Sequence, residues 1–79
     1  LPDEMPEISL PGVEGALLIT QLLKQAGLVA STSDAMRQIA GGGVRLDGER
    51  VADKGVAVPV GATVVAQVGK RRFARVTII

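Results

Sequence analysis

The chain has no cysteine, histidine, tryptophan or tyrosine, and Phe73 is its one aromatic residue. The lack of cysteine and histidine excludes disulfide staples, thiol chemistry, thiolate or imidazole zinc sites and any histidine-based triad. With aromatics missing, a core must be assembled from Leu, Ile, Val and Ala, and over 79 residues such a core is only marginally stable. No apolar run reaches the ~18 residues of a membrane span. The N-terminus lacks the basic start and apolar stretch of a secretory signal. What is present, 47% hydrophobic and 22% charged residues, has the balance of one small globular domain. The expectation is a cytoplasmic, soluble domain with no membrane partner.

The net charge of +1 conceals an asymmetry. Residues 1–14 hold Asp3, Glu4, Glu7 and Glu14 with no base, for a charge of −4. All nine bases lie in residues 15–79, against Asp34, Asp47, Glu49 and Asp53, for a charge of +5. Pro2, Pro6 and Pro11 prevent a regular helix in the first segment. The division is therefore an acidic, proline-containing linker over 1–14 and a basic folded domain over 15–79. A chain that starts with a linker is expected to be a piece of something larger. The basic body points toward a polyanionic partner.

Local patterns place two helices before a set of strands. Leu18, Leu22 and Ala26 recur at helical spacing, Ile19 and Leu23 fill the same face, and Gly27 stands at a helix stop. This predicts a helix over 15–26. Ser31 followed by Asp34 is a capping box in its Asp form and starts a second helix, which Gly41-Gly42-Gly43 ends. Asp47-Gly48 between Val44-Arg45-Leu46 and Arg50-Val51 is a strong hairpin signal. Residues 56–61 read as a proline-containing connection. Val64, Ala66 and Val68 alternate on one strand. After a tight turn at Gly69-Lys70, Ala74, Val76 and Ile78 alternate on another, opposite Arg71, Phe73, Arg75 and Thr77. The fold class is α+β: two short helices packed on a small, mainly antiparallel sheet.

Catalysis finds no support in these residues. No serine or threonine has a histidine to activate it. Asp47 reads as a turn residue and Asp34 as a helix cap. The three glycines follow a helix and lack the phosphate-loop frame. Binding is better supported. Lys70-Arg71-Arg72-Phe73-Ala74-Arg75 puts four cations in six residues, and Arg37, Arg45 and Arg50 accompany them on helix and hairpin. The alternative for the terminal strand is an edge guarded by charge against aggregation. A basic surface with a single aromatic suits the backbone and shape of double-helical RNA better than single strands, which need stacking platforms.

The run from Ser31 to Val51 resembles the RNA-binding alpha-L motif of the fourth ribosomal small-subunit protein: a Ser-rich cap, an acid, a basic helix, glycine, then a hairpin with Asp-Gly. With the helix before it, the resemblance covers about half the chain. Within that superfamily, Met5-Pro6-Glu7, the stretch from Leu22 to Ser33 and the ending from Gly69 to Val76 are similar to the C-terminal domain of bacterial tyrosyl-tRNA synthetases. The resemblance implies RNA contact through Ser31, Thr32, Ser33, Met36, Arg37, Gln38, Arg45, Asp47 and Arg50, and through Lys70, Arg71, Arg72 and Arg75. Met36 stands where the family often has a base, which shifts weight to Arg45, Arg50 and the terminal cluster.

The partner so implied is tyrosine-accepting tRNA, gripped near its variable arm and anticodon stem. This domain would hold no cofactor and no metal. ATP and tyrosine would be handled by the catalytic domain of a parent ligase, expected to be a homodimer, with the isolated domain a monomer. Two alternatives remain: a ribosomal-RNA-binding domain of another alpha-L protein, and a protein-interaction module that docks an acidic partner.

Overall fold

The computed structural model describes residues 5–79, so the first part of the expected linker, residues 1–4, lies outside the described residues. Strands β1 (Glu7–Leu10) and β2 (Ala16–Leu18) precede helices α1 (Ile19–Gln25) and α2 (Thr32–Ala40). Strands β3 (Val44–Leu46), β4 (Glu49–Arg50), β5 (Ala57–Pro59), β6 (Thr63–Val68) and β7 (Arg72–Ile78) follow. Five strands form one sheet in the order β1-β7-β6-β3-β4, and β2 pairs with β5 in a second, two-stranded sheet. Every pairing is antiparallel except β1 with β7. The α+β architecture, with two short helices on a mainly antiparallel sheet, is the one expected.

Both helices end by the same device. Gly27 and Gly42 take positive φ, at 77° each. Leu28 N–H donates to Leu23 O and Gly43 N–H to Gln38 O. Gly27 and Gly42 themselves donate to Lys24 O and Ile39 O, which completes a Schellman motif at each end. At the start of α2, Ser31 Oγ accepts from Asp34 N–H at 3.1 Å. Asp34 returns a carboxylate oxygen to the N–H of Ala30 at 3.4 Å. The predicted capping box is present, with its return bond displaced by one residue.

The helix expected over 15–26 begins four residues later. Glu14 and Gly15 both have positive φ and close a two-residue hairpin between Val13 and Ala16. Ala16–Leu18 then pairs with Ala57–Pro59, so residues 57–59 of the expected connection are a strand. The N–H of Ile19 donates to Val56 O at 2.8 Å, which satisfies the first open donor of α1. Long-range pairing here overrides helical periodicity.

The linker expectation also needs correction. Glu7–Leu10 is extended, as its prolines imply, but it is a strand of the main sheet, in register from Glu7–Arg75 to Leu10–Ile78. Arg75 N–H donates to Pro6 O, Ile79 N–H to Leu10 O and Gly12 N–H to Ile79 O. Leu10 is only 7% exposed. Acidic composition marks this segment as solvated, but Ile8 and Leu10 alternate toward the core, and that apolar side decides its place.

The core lies between the helices and one face of the main sheet. Leu22, Leu23, Ala35 and Ile39 meet Val44, Ala66, Val68, Ala74, Val76 and Ile78 there. The alternation expected on β6 and β7 holds, since Ala66, Ala74, Val76 and Ile78 are fully buried. The other face of the sheet is left uncovered, and it carries Arg45, Val65, Gln67, Phe73 and Arg75.

Candidate nucleic-acid interface

The sheet register builds a row of side chains across four strands. Arg50 on β4 stands opposite Arg45 on β3, Arg45 opposite Gln67 on β6, and Gln67 opposite Phe73 on β7. Directly paired residues project from the same face. Two arginines face each other across β3 and β4, an arrangement that costs stability unless an anion sits between them. No carboxylate fills that place: among the described residues the one ion pair is Arg75 with Glu7. The Arg45 guanidinium donates to Gly48 O at 3.3 Å.

A second link brings Lys70 to the same place. Gly69 N–H donates to Gly43 O at 2.8 Å, which ties the β6–β7 turn to the end of α2. Gly42, Gly43, Gly48 and Gly69 therefore line a shallow groove of about 490 Å³ together with Arg45, Gln67 and Lys70. The Cδ of Arg50 lies against Gly42, 3.5 Å from where a Cβ would be. The Oε1 of Gln38 is 3.0 Å from the corresponding point on Gly43. A side chain on Gly43 would crowd Gln38, whereas at Gly42 the φ of 77°, not space, disfavours one. The groove sets the cations of Arg45 and Lys70 around a floor of glycines that carry no side chains, and such cations are what phosphate oxygens take.

The expected site residues divide into groups. Gln38, Arg45, Arg50 and Lys70 meet at this groove or its rim. Met36 and Arg37 are exposed on α2, before its end. Ser31, Thr32 and Ser33 sit at the other end of that helix, roughly 12 Å away at 1.5 Å per residue. Ser31 is occupied by its cap, while Ser33 is exposed and Thr32 half-buried. Asp47 takes φ 51° in the hairpin turn, and its Oδ1 accepts from Val65 N–H at 2.8 Å. Its carboxylate stitches the turn to β6.

The four terminal cations do not form one patch. Lys70 and Arg71 lie in the turn, because β7 starts at Arg72 and not at Arg71. Arg72 follows the inward parity of Ala74, and its Nη1 donates to Leu28 O at 3.1 Å, clasping the loop between the helices. Arg75 points to the open face, where its Nη1 meets Glu7 Oε1 at 3.0 Å. The edge-guarding alternative fails from Arg75 onward, because β1 covers β7 from Arg75 to Ile78. Sequence reasoning does not find Gln67 or the glycine main chain. The signal for Gln67 is the pairing of β6 with Arg45 and Phe73, which no local pattern reveals.

The sequence pattern of a family described as the S4 domain matches residues 19–64. A tyrosine–tRNA ligase of Thiobacillus denitrificans is 77% identical over 79 residues, covering 100% of this chain and 20% of that protein. One from Burkholderia lata is 59% identical over 78 residues, 99% of this chain and 18% of its own length. One from Colwellia psychrerythraea is 50% identical over 78 residues, with 99% and 20% covered. The chain thus spans about a fifth of the length of these relatives. The solution structure of a tyrosyl-tRNA synthetase C-terminal domain superposes with a TM-score of 0.68 at 26% identity, over 91% of this chain and 78% of that one.

Proposed function

This chain belongs to the S4 domain family, and on that premise we propose that it binds structured RNA as the appended domain of a tyrosine–tRNA ligase. The RNA on this reading is tyrosine-accepting tRNA, held near its variable arm and anticodon stem. The observation that carries the reading is the pair Arg45–Arg50, directly opposite each other across β3 and β4 and without an ion-pair partner among the described residues, beside a groove that Arg45 and Lys70 line. A phosphate in that groove relieves the repulsion and meets the Lys70 ammonium as well. The near-complete coverage of this chain by ligase relatives supports the assignment of the parent.

On the same reading the 79 residues only position the tRNA. Activation of tyrosine with ATP, and dimer formation, fall to the other four fifths of such a protein, which works in the cytoplasm. The isolated chain is a monomer. Among the described residues no helix is long and apolar enough to cross a membrane.

The test is the affinity of the whole chain for tyrosine tRNA as salt is raised, followed by fluorescence anisotropy. Binding through three or four phosphates gives a log–log slope of roughly −3, at about −0.9 per contact on a duplex. A slope near zero, or no binding to any structured RNA at low salt, overturns the proposal.

A further inference from the structure

The uncovered sheet face holds a feature that duplex binding does not use. Phe73, the one aromatic residue, is half-buried there, directly opposite Gln67 and diagonal to Val65. Between Val65, Gln67 and the Asp47-Gly48 turn lies a cleft of about 260 Å³. Gln67 and Gly48 also line the basic groove, so the apolar cleft and the groove share a wall. The Nε2 of Gln67 donates to Gly69 O at 2.8 Å, which fixes the amide and leaves its Oε1 to accept. Cations stand on both sides: Arg45 and Lys70 in the groove, Arg75 directly opposite Val65 in the register.

We infer that this face receives one unpaired nucleotide of the bound RNA. Its phosphate lies in the groove with Arg45 and Lys70, and its base lies over Phe73 and Val65 within reach of the Gln67 amide. The inference rests on the RNA reading above and refines the ligand class, from a plain duplex to a duplex with an unstacked base beside it. A paired base cannot reach the ring, because its faces are covered by its neighbours in the stack. An unpaired base offers a face to Phe73 and an edge to Gln67. One aromatic residue serves one base, so most of the affinity stays with the phosphates.

The experiment compares two RNA stem-loops, identical except that one carries a single unpaired 2-aminopurine and the other is fully paired. With the unchanged chain, the bulged stem should bind about tenfold tighter, the order expected for one stacked base. Its fluorescence should be quenched on binding as the base stacks. Phe73→Leu should abolish both the preference and the quenching while still binding the paired stem, which also shows that the variant is folded. Phe73→Tyr, which keeps the ring, should restore both. Equal binding of the two stems by the unchanged chain, or a preference that survives Phe73→Leu, overturns the inference and leaves duplex binding standing. Failure of the unchanged chain to bind either stem at low salt overturns the RNA reading itself, and this inference with it.

Discussion

Asp47 shows how a residue inside a candidate interface can serve the fold alone. Its φ of 51° lies in a region that Asp tolerates better than most residues. Its main chain and side chain both bond to Val65, the N–H to Val65 O at 2.9 Å and Oδ1 from Val65 N–H at 2.8 Å. Asp47→Ala should lower the unfolding free energy by about 1.5 kcal/mol, the low end for losing a bond to a charged acceptor because this one is exposed. Asp47→Asn, which keeps an acceptor and tolerates the same φ, should lose less than half of that. Urea unfolding measures both, and equal losses in the two variants would show that the side-chain bond contributes nothing. The turn role of Asp47 is legible in the sequence, because Asp-Gly between two apolar runs is a local signal. The fate of Arg75 is not. Its pairing with Glu7 depends on a parallel register between the two ends of the chain, and nothing in the sequence around either residue encodes it.

At the scale of elements, the features with local causes are readable and those with distant causes are not. The α2 cap, both glycine stops and the β3–β4 hairpin each rest on contacts within six residues. Ser31→Ala should therefore cost about 1 kcal/mol, as loss of a cap usually does, and a thermal melt unshifted by that substitution would deny the cap any role. Strands β1, β2 and β5 have partners far along the chain, and local pattern presents them as linker, helix and connection. Strand β1 has the larger consequence. Leu10 is buried, and the strand exchanges main-chain bonds with β7 from Pro6 to Gly12. Leu10→Ala should destabilise by roughly 2–4 kcal/mol, as cavity-forming substitutions in a core do. For a domain this small, that is a large part of the total stability. Removing residues 1–10 should leave the rest largely unfolded at 37 °C by circular dichroism. A truncated chain with an unchanged melting point would return the segment to the status of a linker.

For the whole molecule, the sequence shows a −4 segment joined to a +5 body, and folding lays Glu7–Leu10 of the first beside β7 of the second. Glu7 meets Arg75 on the open face, whereas Arg45, Arg50 and Lys70, around the groove, have no ion-pair partner among the described residues. The resulting ranking of cations reverses the one that charge density along the sequence suggests. The cluster 70–75 is the most basic stretch of the chain, yet Arg72 is turned to the helix loop and Arg75 is engaged by an acid. Arg45 and Lys70, which are 25 positions apart, share one groove. Replacing both by glutamine should weaken tRNA binding by roughly 10–100-fold at physiological salt and flatten the salt slope by up to ~2 units, one for each phosphate that is no longer neutralised. The parallel variant Arg71→Gln with Arg75→Gln should lose less and flatten the slope by about one unit, because Arg75 must release Glu7 before it can meet a phosphate. An exposed ion pair is worth less than ~1 kcal/mol, so Glu7→Gln alone should tighten binding only a few-fold. Stability should stay within ~0.5 kcal/mol in both double variants, since all four side chains are exposed. If the 71/75 variant loses as much affinity as the 45/70 variant or more, the sheet face and not the groove is the main phosphate-binding surface. The like-charge pair across β3 and β4 would then need another partner.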